Sequence, residues 1–358
     1  MGASDVRGTI RWLAVAVLVG VLATPTAASE VLLPPGFTSR VHVTGEGFDR
    51  GSPGAAGVPV VLTLGVDPSG ILYLARTGNR YSTGETEELL TRLYRIPPAG
   101  ARITPATEPG YLHGPPLRNP EVGAVPDSGV LLLTTYDPDR QLGVLYRMLD
   151  GRPALLAGGT PPAGRPAVLQ QPEGVAVDAG GNVYVADRAR GAVVKLDRQG
   201  RLVEAAYARV PRARTVAVDA AGQLWVGGDG TATQPWQEGQ GQIWRVAPDG
   251  RATLAFEGPH AAAVAAAPAG GLFVAQRHTC RVFLLTAEGR RVEFATLGGE
   301  AMPRGLAFAP DTPETRRAGI AGDLFVVSFT LRTWYLNEVI RISGPFADFV
   351  RRGSGLVE

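Results

Sequence analysis

Between residues 61 and 345 the apolar positions come in short runs rather than on one helical face. The clearest block is Gln171 to Asp187. Here Val175-Ala176-Val177 is followed by the turn Asp178-Ala179-Gly180-Gly181 and by a second run, Val183-Tyr184-Val185. A polar loop, a third run (Val193-Val194-Lys195-Leu196), a turn at Gly200 and a weaker stretch, Arg201 to Ala206, complete the block. Runs this short, bounded by Asp and Gly, predict four antiparallel strands. The block recurs, with its turn glycine at Gly70, Gly129, Gly181, Gly222, Gly270 and Gly322. Spacing of about 40 to 60 residues fits one four-stranded unit with loops of varying length.

The strands within each block differ in a regular way. The first is small and apolar on both faces, as in Val216-Ala217-Val218 and Val264-Ala265-Ala266, and this suits an innermost strand. The second carries a bulky residue, Tyr73, Tyr184, Trp225, Phe273 or Phe325, sized for the widening gap between sheets. The third alternates with period two, as in Ile243-Trp244-Arg245-Val246. The expected fold is all-β, a six-bladed β-propeller of four-stranded antiparallel blades over residues 61–358. Two stacked sandwiches would need a linker near mid-chain. The best candidate, Pro161-Pro162-Ala163-Gly164, has repeat units on both sides. Two segments could close the ring, either Pro345 to Arg351 or a strand around Arg40 to Val43 in the lead-in, residues 30–60.

Composition adds the setting. An apolar fraction of 45% supports a large core, and 47 glycines with 29 prolines read as frequent turns. The net charge of +2 is spread along the chain, which argues against nucleic acid as a partner. Arg7 and Arg11 precede the apolar run Trp12 to Ala23, and Ala27-Ala28-Ser29 offers small residues for cleavage. Residues 1–29 therefore read as a secretory signal peptide, or else as an uncleaved anchor. The apolar run is shorter than the ~20 residues needed to span a bilayer. A periplasmic or secreted protein with no membrane span after cleavage, and a monomer, is expected. Cys280 is the only cysteine, so the chain has no internal disulfide.

Pro172-Glu173-Gly174-Val175-Ala176-Val177-Asp178, with Asn182-Val183-Tyr184-Val185-Ala186-Asp187, resembles an NHL repeat. The chain from residue 30 onward resembles the NHL, gluconolactonase and virginiamycin-lyase group of six-bladed, TolB-like propellers. Leu33-Pro34-Pro35-Gly36-Phe37 and Gly322 to Phe329 are similar to soluble sugar dehydrogenases of the glucose/sorbosone type. In that family a His-Gly-Ser-Trp-Asn-Arg stretch follows the last blade. Here the run is Ser328-Phe329-Thr330-Leu331-Arg332-Thr333-Trp334, without the histidine. The gluconolactonase resemblance implies oxygen ligands for a divalent cation such as calcium near Glu173. At comparable places in other blades this chain has Arg214 and Arg304, which cannot ligate a cation.

In a propeller the start of each innermost strand lines the channel mouth. The register places Leu62, Glu121, Glu173, Arg214, Ala262 and Arg304 there. Glu121 and Glu173 are the candidate catalytic carboxylates, and Arg214 and Arg304 candidate ligand-binding groups. The same ring can equally be four charges neutralising one another around a wet channel. Trp236, Trp334 and Tyr335, on loops between second and third strands, could stack on a flat ligand or pack the loops down. Asp137-Pro138-Asp139 and Asp229-Gly230 resemble turns that hold calcium, although Asp in a turn commonly bonds its own backbone. His278 and Cys280, expected on a strand edge, could share a metal with His260.

Two readings of different class follow. One is a module that binds a small-molecule or protein ligand through its top-face loops and channel mouth. The other is a metal-dependent hydrolase of lactones or sugar derivatives using Glu121 and Glu173. A propeller lyase or sugar dehydrogenase is a third.

Overall fold

The computed structural model describes residues 30–48, 56–59, 61–76, 90–126, 128–137, 142–232, 239–330 and 336–355. Six antiparallel sheets follow one another along the chain. Their innermost strands are Val61–Val66, Glu121–Ala124, Pro172–Val177, Ala213–Val218, Ala261–Ala266 and Met302–Phe308. Each sheet runs outward in sequence order, as hairpin connections dictate. All six turn glycines, from Gly70 to Gly322, have φ between 72° and 99°, a region that strains any residue with a Cβ. The chain is a six-bladed propeller.

The core forms between blades. Trp225 of blade four, fully buried, packs with Leu272 and Phe283 of blade five. Tyr184 of blade three shares a cluster with Val216 and Val226 of blade four. The bulky second-strand residue therefore fills the gap to the next sheet, while alanine and valine on the inner strands let six sheets converge.

In three blades an aspartate organises the inner turn. Asp67, Asp178 and Asp219 each accept a backbone N–H four residues on, from Ile71, Asn182 and Gln223. The other carboxylate oxygen of each faces the aromatic six residues on, at Tyr73, Tyr184 and Trp225. Blade five has Ala267 and Phe273 at these positions, and blade two has Pro126 and Leu132. An aromatic with a polar head thus occurs where a carboxylate receives its proton, and a wholly apolar side chain where none is available.

Ring closure uses the lead-in. Thr38–Gly45 pairs antiparallel with Leu336–Ser343 and so supplies the fourth strand of blade six. Val31–Leu32 adds to the outer strand of blade five. The other candidate for closure, Pro345 to Arg351, lies instead within or next to the helix Phe346–Gly353. Phe346, Phe349 and Val350 recur at helical spacing and are buried against Phe37 and Phe294, which a strand's alternation would not allow. No helix among the described residues is long and apolar enough to cross a membrane. The leader assigned to residues 1–29 lies outside the described residues.

Candidate functional site

Leu62, Glu121, Glu173, Arg214, Ala262 and Arg304 line one cavity of about 110 Å³ where the inner strands begin. The expected channel ring is therefore assembled by the fold. A feature the sequence did not announce puts the side chains there. In five blades the pairing of the first and second strands slips by one residue at the mouth. Ala213 pairs with Gly228 and Thr215 with Gly227, leaving Arg214 extra. Leu62, Ala262 and Arg304 are extra in the same way, and in blade three the extra residue falls at Glu173-Gly174. A bulge re-aims the side chain it displaces. Glu121 alone keeps a regular partner, Thr134.

The charges divide into a paired side and an open side. On the paired side Glu173 Oε2 lies 3.1 Å from Arg214 Nε, and Gln171 Nε2 donates to Oε1 at 3.0 Å. Asp229, fully buried, is the hub behind them. Its Oδ2 accepts from Arg188 Nε at 2.6 Å, and its Oδ1 lies 2.6 Å from His260 Nε2 and 3.6 Å from Arg214 Nη1. The short approach to a carboxylate places the His260 proton on Nε2. The turn Asp229-Gly230 is thus an ion-pair centre. Asp137 pairs with Arg118, while Pro138 and Asp139 lie outside the described residues.

On the open side stand Glu121 and Arg304. Neither side chain has a hydrogen bond or ion pair among the described residues. Both line the cavity, and each feels the other's charge without touching it. The Arg304 guanidinium lies 5.8 Å from the Phe329 ring centre, and that of Arg277 lies 5.1 Å from the same ring. Arg277 follows blade five's second strand, and its link to the mouth comes only from packing across blades.

Burial sets the protonation. It pushes the Glu173 carboxyl up to about 7, with Glu121 and Asp229 adding to the rise and Arg214 and Arg188 opposing it. Burial also raises Glu121, against Arg214 and Arg304. Asp229 goes the other way. Burial alone would raise it, but His260, Arg214 and Arg188 together bring it to about 2. Arg304 and Arg277 are held below the ordinary arginine range by burial and then by neighbouring arginines.

Calcium requires six to eight oxygen ligands. The carboxylates of Glu173 and Asp229 are already engaged by guanidinium groups, and Glu121 offers the one unengaged carboxylate of the described mouth. No group of three or more His, Cys, Asp or Glu side chains converges among the described residues. The described mouth therefore does not fit a divalent cation. His278 lies in a short 3-10 turn rather than on a strand, with Cys280 after it at φ 55°. His260 faces Asp229 instead of joining them. Trp236, Trp334 and Tyr335 lie outside the described residues.

Comparison with known proteins places the geometry. A family model for the NHL repeat matches residues 169–196. A search of curated proteins found no match. Among solved structures, a protein provisionally assigned as a gluconolactonase is 14% identical with a TM-score of 0.54, over 87% of this chain and 94% of its own. The PQQ-bound aldose sugar dehydrogenase of Streptomyces coelicolor is 14% identical with a TM-score of 0.51, over 89% and 99%. An auxiliary nutrient-binding protein of Bacteroides ovatus is 10% identical with a TM-score of 0.56, over 87% and 77%. Identities this low speak to architecture, and the fold hosts both enzymes and binding proteins. The chain is a six-bladed β-propeller that carries an NHL repeat at residues 169–196.

Proposed function

We propose that this propeller is a binding module that takes up a small polar molecule at its channel mouth. One observation carries the reading. Glu121 and Arg304 face the same cavity without a partner, while the charges behind them are mutually satisfied. Opposite charges that line one cavity without pairing leave hydrogen-bonding capacity for a guest. The rigid ring around them holds that capacity in place without a lid or hinge. A leader at residues 1–29 supports export to the periplasm or beyond the cell, and N-terminal sequencing of the mature protein tests it.

The test is a calorimetric screen of small polar ligands against the wild type and the Glu121→Gln/Arg304→Gln double variant. A ligand that binds the first and not the second supports the module. Ligands that bind both equally place recognition elsewhere and overturn the reading.

A second reading rests on Glu173, whose carboxyl near 7 suits a general base at neutral pH. On it the mouth would hydrolyse a lactone without a metal. Glucono-lactone hydrolysis lost in Glu173→Gln would favour this reading, and hydrolysis at the uncatalysed rate in the wild type would remove it.

A further inference from the structure

We propose that the mouth binds a small hydroxycarboxylate monoanion, with its carboxylate on Arg304 and its hydroxyl toward Glu121. The inference rests on the channel mouth being a binding site, and it goes further by naming what binds.

Charge comes first. Three carboxylates, Glu121, Glu173 and Asp229, meet four guanidiniums, those of Arg188, Arg214, Arg277 and Arg304. The surplus is one positive charge, and a monoanion cancels it. The surplus is also local. Arg188 and Arg214 lie within ion-pair distance of Glu173 and Asp229, so the excess falls on the side of Arg277 and Arg304. A cation entering here meets Arg304 and Arg277 first. A dianion overshoots the surplus and lies close to Glu121.

Geometry comes second. Arg304 sits on a bulge and so reaches the channel rather than the sheet face. Its guanidinium is near the Phe329 ring, and stacking of that kind uses the flat face of the group. The N–H donors lie in the guanidinium plane, so they stay available to both oxygens of a carboxylate. Glu121 faces the same cavity from blade two with acceptor oxygens to spare. A guest that bridges the two needs an anionic end and a hydroxyl end. Leu62 and Ala262 make the remaining wall apolar and offer no further polar contact.

Size comes third. The cavity of about 110 Å³ corresponds to about four waters at their liquid volume. That suits a short-chain hydroxy acid and not a ring sugar enclosed on all sides.

The experiment titrates glycolate and its neutral isostere glycolamide into the full chain by calorimetry. Expected is saturable one-to-one binding of glycolate, with glycolamide at least tenfold weaker and acetate weaker than glycolate. Arg304→Gln should weaken glycolate at least tenfold, with native circular dichroism and melting as the check on folding. Arg304→Lys should recover part of the loss. Glu121→Gln removes a negative charge and keeps a hydrogen-bonding group, so glycolate should bind it as tightly or more tightly. A cation site would lose its ligand in that variant. Glycolamide binding as well as glycolate overturns the inference and needs no variant. So does a folded Arg304→Gln that binds glycolate normally. If glycolate fails while a neutral ligand binds in an Arg304- and Glu121-dependent way, the anion class falls and the binding module stands. If nothing in the screen binds at the mouth, both fall.

Discussion

Asp229→Asn tests whether the buried carboxylate holds the paired side of the mouth together. Asp229 is fully buried and contacts Arg188, Arg214 and His260 at 2.6 to 3.6 Å. Asparagine keeps the shape and removes the charge, so two guanidiniums lose a buried counter-charge. Removing one partner from a buried ion pair costs about 3–5 kcal/mol. A second route uses the carboxyl at about 2, against 3.8 for the model group. At 1.36 kcal/mol per unit, that shift corresponds to about 2 kcal/mol of stability at neutral pH. The folded value is depressed, so this stability is present above the unfolded value near 4 and is lost as pH falls from there toward 2. The expected loss for Asp229→Asn at pH 7 is thus about 2–4 kcal/mol, read from urea midpoints at constant slope. Two further readouts belong to the same variant. Its stability deficit should shrink as pH falls below 4, where the wild type loses the charge too. Glycolate should bind more tightly, because the mouth gains net positive charge. A stability change under about 0.5 kcal/mol at pH 7, the range typical of surface substitutions, would refute the ion-pair centre.

Three further outcomes are expected. Asp219→Ala leaves the Trp225 indole N–H and a Gly271 N–H without their acceptor, and should cost about 2–4 kcal/mol. Adding Trp225→Phe, the kind of pairing blade five already uses, should recover about 1 kcal/mol in a double-mutant cycle. His42, buried against Phe325, is lowered to about 4 by burial and then by Arg341 and Arg40. The unfolded chain therefore takes up the extra proton between about 6.5 and 4, and stability should fall as pH drops through that window. The loss is about 3 kcal/mol at most, and His42→Gln should flatten it. Glycolate affinity should rise as pH drops from 8 to 6, because Glu173 at about 7 gains a proton and the mouth becomes more positive. A flat affinity profile over that range would show that Glu173 does not share the guest's field.

What the sequence revealed follows from how local each signal is. The repeat, its glycine turns and the six mouth positions were readable, because a hairpin and its turn lie within a few residues of one another. Closure by Thr38–Gly45 was left as one of two options, since its partner strand is some 300 residues away. The bulges at Arg214 and Arg304 were not readable, because a register slip exists only between two strands. Asp229 looked like a turn residue for the same reason. What makes it a centre is Arg188 and His260, brought in from neighbouring blades. Arg277 joined the mouth only through Phe329, a ring one blade away. Pairwise charge balance is a tertiary property, so the difference between satisfied Glu173 and unsatisfied Glu121 had no sequence signal at all.

The most direct measurement is a crystal structure of the protein grown with glycolate. The account predicts one glycolate in the channel mouth, with its carboxylate within hydrogen-bonding distance of Arg304 and its hydroxyl facing Glu121. An Arg304 side chain turned to pair directly with Glu121, closing the gap with no guest between them, would contradict it.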